Sequence, residues 1–156
     1  MKNRFKSLIV NTILLFSMLP LAHADNSNTK KIQVVLKSYE QVLNNSDVAG
    51  VVKLYTTDGV FMAPHHPSAV GIRAIEGAYK SVFKAIDLDV RFDIVEVETL
   101  GDDWAFVRTN SAGSIKFNAS GKKNDKSYHQ ELFLMKKTAN GDWKIARYAF
   151  SSTNPR

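Results

Sequence analysis

Few side chains in this sequence could move protons near neutral pH. His65 and His66 are adjacent, bracketed by Pro64 and Pro67. An imidazole titrates near about 6.5, where a general base is useful; the plain alternative is an exposed Pro-rich loop whose histidines do nothing. Tyr39 lies in mid-stripe on an apolar helix, where its ring fills a core and its hydroxyl serves either a neighbour or a ligand. Arg108 and Arg147 sit among apolar strand residues, so each must be paired or face water. An inward Arg108 would bind a carboxylate, either Glu131 or one on a ligand; an outward one is an ordinary sheet-face charge. A metal site would need a third ligand beside the His pair. His129 is the only other histidine after residue 24, and no H-x-x-x-H or His-x-His spacing occurs. Neither a metal nor a cofactor is therefore expected.

These groups must be held by the elements around Leu54 to Phe83. That stretch ends one helix, makes a short strand (Val60 to Ala63), crosses the Pro/His loop and opens another helix at Gly71. Upstream, Ile32, Val35, Leu36, Tyr39, Val42 and Leu43 form the i, i+3, i+4, i+7 stripe of a helix buried on one face. Asn44-Asn45-Ser46 breaks it. Val48, Val51, Val52 and Tyr55 give a second, shorter stripe that packs back on the first. Thr56-Thr57-Asp58-Gly59 reads as a turn. Ile72, Ile75, Tyr79, Val82, Phe83 and Ile86 share one face of the third helix.

After that helix the period falls from 3.6 to 2. Leu88, Val90, Phe92 and Ile94 alternate, then Val95 and Val97 take over the apolar phase, which predicts a β-bulge. Long strands follow at Trp104 to Phe117, Ser127 to Lys137 and Trp143 to Ser152. Between them lie a polar tip (Asn118 to Asp125) and an Asn140-Gly141 hairpin turn. The order is three helices with one small strand among them, then four long antiparallel strands in meander. This is an α+β fold with the helices buried against one sheet face. Glu131-Leu132-Phe133-Leu134-Met135 is apolar on both faces, so a homodimer packed sheet against sheet is expected.

Composition bounds the function. Lys2, Arg4 and Lys6, the apolar run Leu8 to Leu19, and Ala22-His23-Ala24 form a signal peptide cleaved after Ala24. Residues 25–156 are then a single domain in the periplasm or outside the cell, with no stable membrane association. The leader carries three of the 21 Lys and Arg and none of the 15 Asp and Glu, leaving a net charge of +3. Lys122, Lys123 and Lys126 cluster without interleaved aromatics, a solvated tip rather than a nucleic-acid patch. The absence of cysteine excludes disulfides and thiol catalysis. No G-x-S-x-G, Walker motif, dinucleotide loop or H-E-x-x-H is present, which argues against common hydrolases and nucleotide cofactors.

Three segments together resemble the nuclear transport factor 2-like cone, closest to its SnoaL-like and ketosteroid-isomerase-like branch. They are S-Y-E-Q-V-L-N-N-S-D-V-A-G-V-V-K-L-Y-T-T-D-G-V (Ser38 to Val60), G-I-R-A-I-E-G-A-Y (Gly71 to Tyr79) and G-D-W-K-I-A-R-Y-A-F-S-S (Gly141 to Ser152). The resemblance implies three N-terminal helices on a strongly curved antiparallel sheet. It says little about function, because this fold hosts isomerases, cyclases, dehydratases and binding subunits. In the isomerases a first-helix Tyr donates to the developing dienolate, and Tyr39 matches it. Their carboxylate base precedes the proline after the first short strand; here that residue is Ala63. A later-strand protonated acid falls in Tyr128-His129-Gln130-Glu131, so Glu131 or His129 stands in for it.

The resulting expectation is an exported dimer binding a small, largely apolar molecule, with no evident catalysis. Tyr39, Tyr55, Phe61 and Tyr79 would line its cavity from the first half of the chain. Trp104, Arg108, His129, Tyr148 and Phe150 would line it from the strands. The alternative is an isomerase, cyclase or dehydratase with Tyr39 as oxyanion donor and His65 or His66 replacing the missing base. A third reading is an interaction module that binds another protein through the sheet face.

Overall fold

The first apolar stripe forms α1 (Ala22–Asn44), with Ile32, Leu36, Tyr39 and Leu43 buried on one face. The structure, a computed structural model, describes residues 22–154, with side chains from Ser27 onward. The expected leader lies outside the described residues except for 22–24, which open α1. The polar segment Asp25 to Thr29 lies within this helix. Asn28 is tied down there, accepting from the Trp143 indole N–H at 3.3 Å. Ser46, at φ 52°, breaks the helix. Asp47 then caps α2 (Val48–Leu54) by accepting from the Gly50 N–H at 2.9 Å.

α3 (Ile72–Ala85) buries Ile75 and Tyr79. Ile86, expected to extend that stripe, instead opens a strand, because the two-residue alternation already begins there. No described helix is long and apolar enough to cross a membrane.

The strands are β1 (Tyr55–Met62), β2 (Ala69–Val70), β3 (Ile86–Thr99), β4 (Trp104–Phe117), β5 (Lys123–Lys137) and β6 (Trp143–Ser152). They form one curved sheet in the order β2-β1-β6-β5-β4-β3. The long strands are the expected meander, but β1 lies parallel beside β6, so the sheet is mixed rather than antiparallel. Alternation along a chain marks a strand without naming its neighbour, and this pairing joins the two ends of the domain.

The expected turn Thr56-Thr57-Asp58-Gly59 belongs to β1. It arches away from β6 between the pairs Tyr55↔Ile145 and Val60↔Arg147. The tip before β5 is shorter than expected, since Lys123 already pairs with Lys116.

Curvature comes from register shifts on successive strand pairs, between Ile94 and Glu96, Gly113 and Ile115, and Leu134 and Met135. The first is the bulge expected from the phase switch. At Gly113 the β3 backbone comes so close that an added Cβ would lie 2.0 Å from the Asp89 carbonyl oxygen. Only glycine fits that approach.

β3 ends the sheet, and α1 occupies part of its open edge. The Glu40 carboxylate accepts from the Phe92 N–H at 2.8 Å. The Asn44 amide both donates to and accepts from the Val90 backbone, each at 2.8 Å. These contacts satisfy backbone groups that would otherwise be orphaned under the helix.

Candidate functional site

Tyr39 projects from α1 into the concave face of the sheet, where aromatic rings meet on all sides. Its ring stands edge-on to Tyr55, Tyr79, Phe133 and Tyr148 and stacks on Phe92 at 5.8 Å. Phe61 stacks between Tyr79 (4.8 Å) and Tyr148 (5.6 Å), with Phe150 alongside at 6.2 Å. Phe133 and Tyr148, cross-strand partners on β5 and β6, stack at 4.3 Å.

The hydroxyls of this cluster serve one another. Tyr79 is the hub: its hydroxyl bonds that of Tyr39 and, at 3.1 Å, that of Tyr55. Burial raises the pKa of Tyr39, Tyr55, Tyr79 and Tyr148, and neighbouring phenols add to the rise. All four are neutral hydrogen-bonding groups rather than proton carriers.

Beyond Tyr148 the interior turns polar. Glu131, 4% exposed, points inward from β5. Its two carboxyl oxygens accept from the hydroxyls of Thr109 and Ser111 on β4. Desolvation raises its pKa, and the Ser111 and Thr109 hydrogen bonds oppose the rise. The Glu131 charge in turn contributes to raising that of Tyr148.

His129, two residues earlier on the same face, is half-buried and meets Phe150 edge-on at 5.5 Å. Burial lowers its pKa. Both shifts therefore run toward the uncharged form, up for the Glu131 carboxyl and down for the His129 imidazole. An open recess of about 490 Å³ is lined by Ser111 and His129, with Arg91, Asp93, Asn110 and Tyr128 also in its wall. Ser111 thus joins the recess to Glu131 through one hydrogen bond.

The structure sorts the residues expected from sequence. Tyr39, Tyr55, Phe61, Tyr79, Tyr148 and Phe150 do meet inside the cone, with Glu131 and His129 beside them. Trp104 and Arg108 do not. They occupy the opposite face of β4, where Arg108 pairs with Glu96 at 2.5 Å and the Lys136 ammonium lies over the Trp104 ring at 5.2 Å. The inward positions of β4 are the smaller Ala105, Val107, Thr109 and Ser111. They leave room for rings arriving from α1 and β5.

Arg147 donates to the backbone carbonyls of Asp58 and Ala146 rather than to a carboxylate. His65 and His66 are exposed at the tip joining β1 to β2, with His65 at φ 62° and His66 Nδ1 2.9 Å from the Pro64 carbonyl oxygen. Ala63 packs half-buried against the core. Sequence reasoning missed Thr109 and Ser111, whose only signal was two hydroxyls in consecutive inward positions. Among the described residues no group of three or more His, Asp or Glu is placed to hold a metal ion.

A family description, the SnoaL-like domain, matches residues 35–151, from within α1 to the last strand. The chain belongs to the SnoaL-like family. Among solved structures it is similar to a ketosteroid isomerase-like protein from Erwinia carotovora atroseptica SCRI1043. The two share 37% identity over 83% of this chain and 99% of that one, with a TM-score of 0.79. It is also similar to a nuclear transport factor 2-like superfamily protein from Salmonella enterica serovar Typhimurium LT2. That pair shows 14% identity, 83% and 94% coverage, and a TM-score of 0.68. An uncharacterized protein with a cystatin-like fold from Caulobacter vibrioides aligns at 17% identity, 83% and 92% coverage, and a TM-score of 0.67. No curated protein matches the chain. Within this SnoaL-like cone, Tyr39 and Glu131 occupy one interior, both near Tyr148, while Ala63, at the place the resemblance gives to the isomerase base, presents only a methyl group.

Proposed function

We propose that this SnoaL-like protein is an exported dimer that binds a small molecule in its cone, apolar over most of its surface and polar at one end. The observation that carries the reading is the buried Glu131 carboxyl, held by Thr109 and Ser111 at the edge of an otherwise aromatic interior. A buried acid with a raised pKa is costly to retain as packing, and it supplies one directional contact for a ligand. Catalysis of the isomerase kind is disfavoured: Ala63 cannot abstract a proton, and the Tyr39 hydroxyl is already shared with Tyr79.

Export rests on the leader-like first 24 residues. Dimerisation rests on the outer sheet face, where Leu132 is 48% exposed beside Leu134 and Phe106. The test is gentle native mass spectrometry of the protein purified from its host. A dimer with a reproducible added mass, lost in Glu131→Gln while the dimer persists, is the expected result. Repeated recovery of a bare protein would overturn the binding reading.

One observation favours a second reading, an isomerase, cyclase or dehydratase. Glu131 and His129 are pushed toward a proton-donating acid and a proton-accepting imidazole on one face. That pair, rather than Tyr39 with His65 or His66, would carry the chemistry. Turnover of any bound ligand would then vanish in both Glu131→Gln and His129→Gln.

A further inference from the structure

A second cleft, of about 320 Å³, opens where β1 arches off β6, far along the sheet from the carboxyl end of the aromatic interior. Thr56, Thr57 and Asp58 line it from the arch, and Lys136, Lys137 and Lys144 from β5 and β6. Lys136 and Lys144 are direct cross-strand partners. Like charges facing each other across a ladder are unfavourable. All three lysines are half-buried, and among the described residues none forms an ion pair. Their ammonium groups are anchored without being neutralised. Lys144 donates to the Lys53 carbonyl oxygen at 3.0 Å and Lys137 to that of Asp102 at 3.3 Å, while Lys136 lies over Trp104. Each ammonium keeps donors to spare.

The same cleft contains a buried hydroxyl in need of a partner. Thr56 is 7% exposed, and its Oγ1 completes no hydrogen bond of ordinary geometry. Asp58 is the one carboxylate in the lining. Its pKa is lowered chiefly by the nearby Thr56 hydroxyl, then by its own backbone, with Lys136 and Arg147 adding to the effect. It is fully exposed and forms no ion pair with any of the lysines. Lys137 turns to the other face, over the Trp143 ring at 5.4 Å. Arg147, however, donates to the Asp58 backbone carbonyl, so Lys136, Lys144 and Arg147 set three cations against one carboxylate and leave two positive charges uncompensated around the cleft.

We propose that this cleft is a phosphate site, taking the dianion either free or as the end of a small phosphate ester. A phosphate monoester carries between about −1.5 and −2 near neutral pH and has three strongly accepting oxygens. That charge matches the excess, and the oxygens match the ammonium groups of the cross-strand pair Lys136 and Lys144 and the Thr56 hydroxyl. A carboxylate would leave about half of the excess uncompensated.

The test is NMR titration of the purified protein, following the Thr56, Thr57 and Lys144 amides. Inorganic phosphate and glycerol phosphate are the two probes, with sodium chloride at matched ionic strength as reference. Saturable shifts with either phosphate, absent in chloride, are expected, and the tighter of the two probes identifies the free ion or the ester as the source. Lys136→Gln combined with Lys144→Gln should weaken binding by about tenfold or more. Asp58→Asn should tighten it, because the competing negative charge is gone. These side chains are half-exposed or exposed, so the variants should fold; an unchanged far-ultraviolet spectrum and melting temperature check that. Shifts that chloride reproduces, or that survive in the double lysine variant, would overturn the proposal.

Discussion

Replacing Tyr79 by Phe tests whether the tyrosine hydroxyls are structural. The change deletes one oxygen and leaves every ring contact available. In the folded protein that oxygen is the common partner of the Tyr39 and Tyr55 hydroxyls, on residues only 1% exposed. A buried hydroxyl stripped of its partner costs about 1–3 kcal/mol. Two such groups set an upper range of about 2–6 kcal/mol, and the Tyr148 hydroxyl near Tyr39 can recover part of it. About 3 kcal/mol is the working figure, or a fall of about 10 °C in Tm for a domain of this size. Tyr55→Phe removes only one arm of the hub, and Tyr79 keeps its bond to Tyr39; its cost should be about 1 kcal/mol. The assay is paired urea and thermal unfolding followed by circular dichroism, with the urea m-value checked for constancy. If Tyr79→Phe is no worse than Tyr55→Phe, the hub does not exist and Tyr39 is free to face a ligand. The same logic makes Tyr39→Phe a destabilising change, where a dedicated oxyanion donor would lose turnover without loss of stability.

Other expectations follow from single features. Burial raises the Glu131 pKa above the ordinary carboxyl value of 4.5, so the folded state holds that proton more tightly than the unfolded chain. Its contribution is complete below 4.5 and is lost as pH rises through the raised value. Glu131→Gln stays neutral throughout, so its stability relative to the parent should increase from about pH 4 to about pH 7, and a pH-independent difference would refute the assignment. Gly113→Ala drives a methyl group into the Asp89 carbonyl and should cost about 1–3 kcal/mol in urea unfolding, with β3 and β4 amides exchanging faster. Leu132→Lys places a charge in the exposed outer face; sedimentation should show dimer turning to monomer at unchanged Tm. A monomeric parent protein would remove the reason for that apolar face.

Much of the fold was legible because its signals are local. The stripe through Ile32, Leu36, Tyr39 and Leu43 can only be a helix with one buried face, and Asn44-Asn45-Ser46 can only end it. The phase switch at Val95 announced the bulge that bends β3. Tyr39, Phe61, Tyr148 and Phe150 were recognisable as interior because large rings on the inward phase of an element have nowhere else to go.

What the tertiary structure decided are questions of pairing and volume. Nothing in Tyr55 to Met62 names β6 as its neighbour, since a parallel partner lies at the far end of the chain. β4 offered two plausible faces, one with Trp104, Phe106 and Arg108 and one with Ala105, Val107, Thr109 and Ser111. Side-chain size favoured the first as interior. The folded core chose the second, because rings from α1, β5 and β6 already fill the space beneath it and only small side chains fit between. That choice also brought Thr109 and Ser111 onto Glu131 and turned Arg108 out to Glu96. The sequence by itself therefore determined the elements and most of the inward aromatics. Which groups surround the buried carboxyl was settled by packing, because complementarity of volume across a sheet is a property of the assembled elements and of none of them alone.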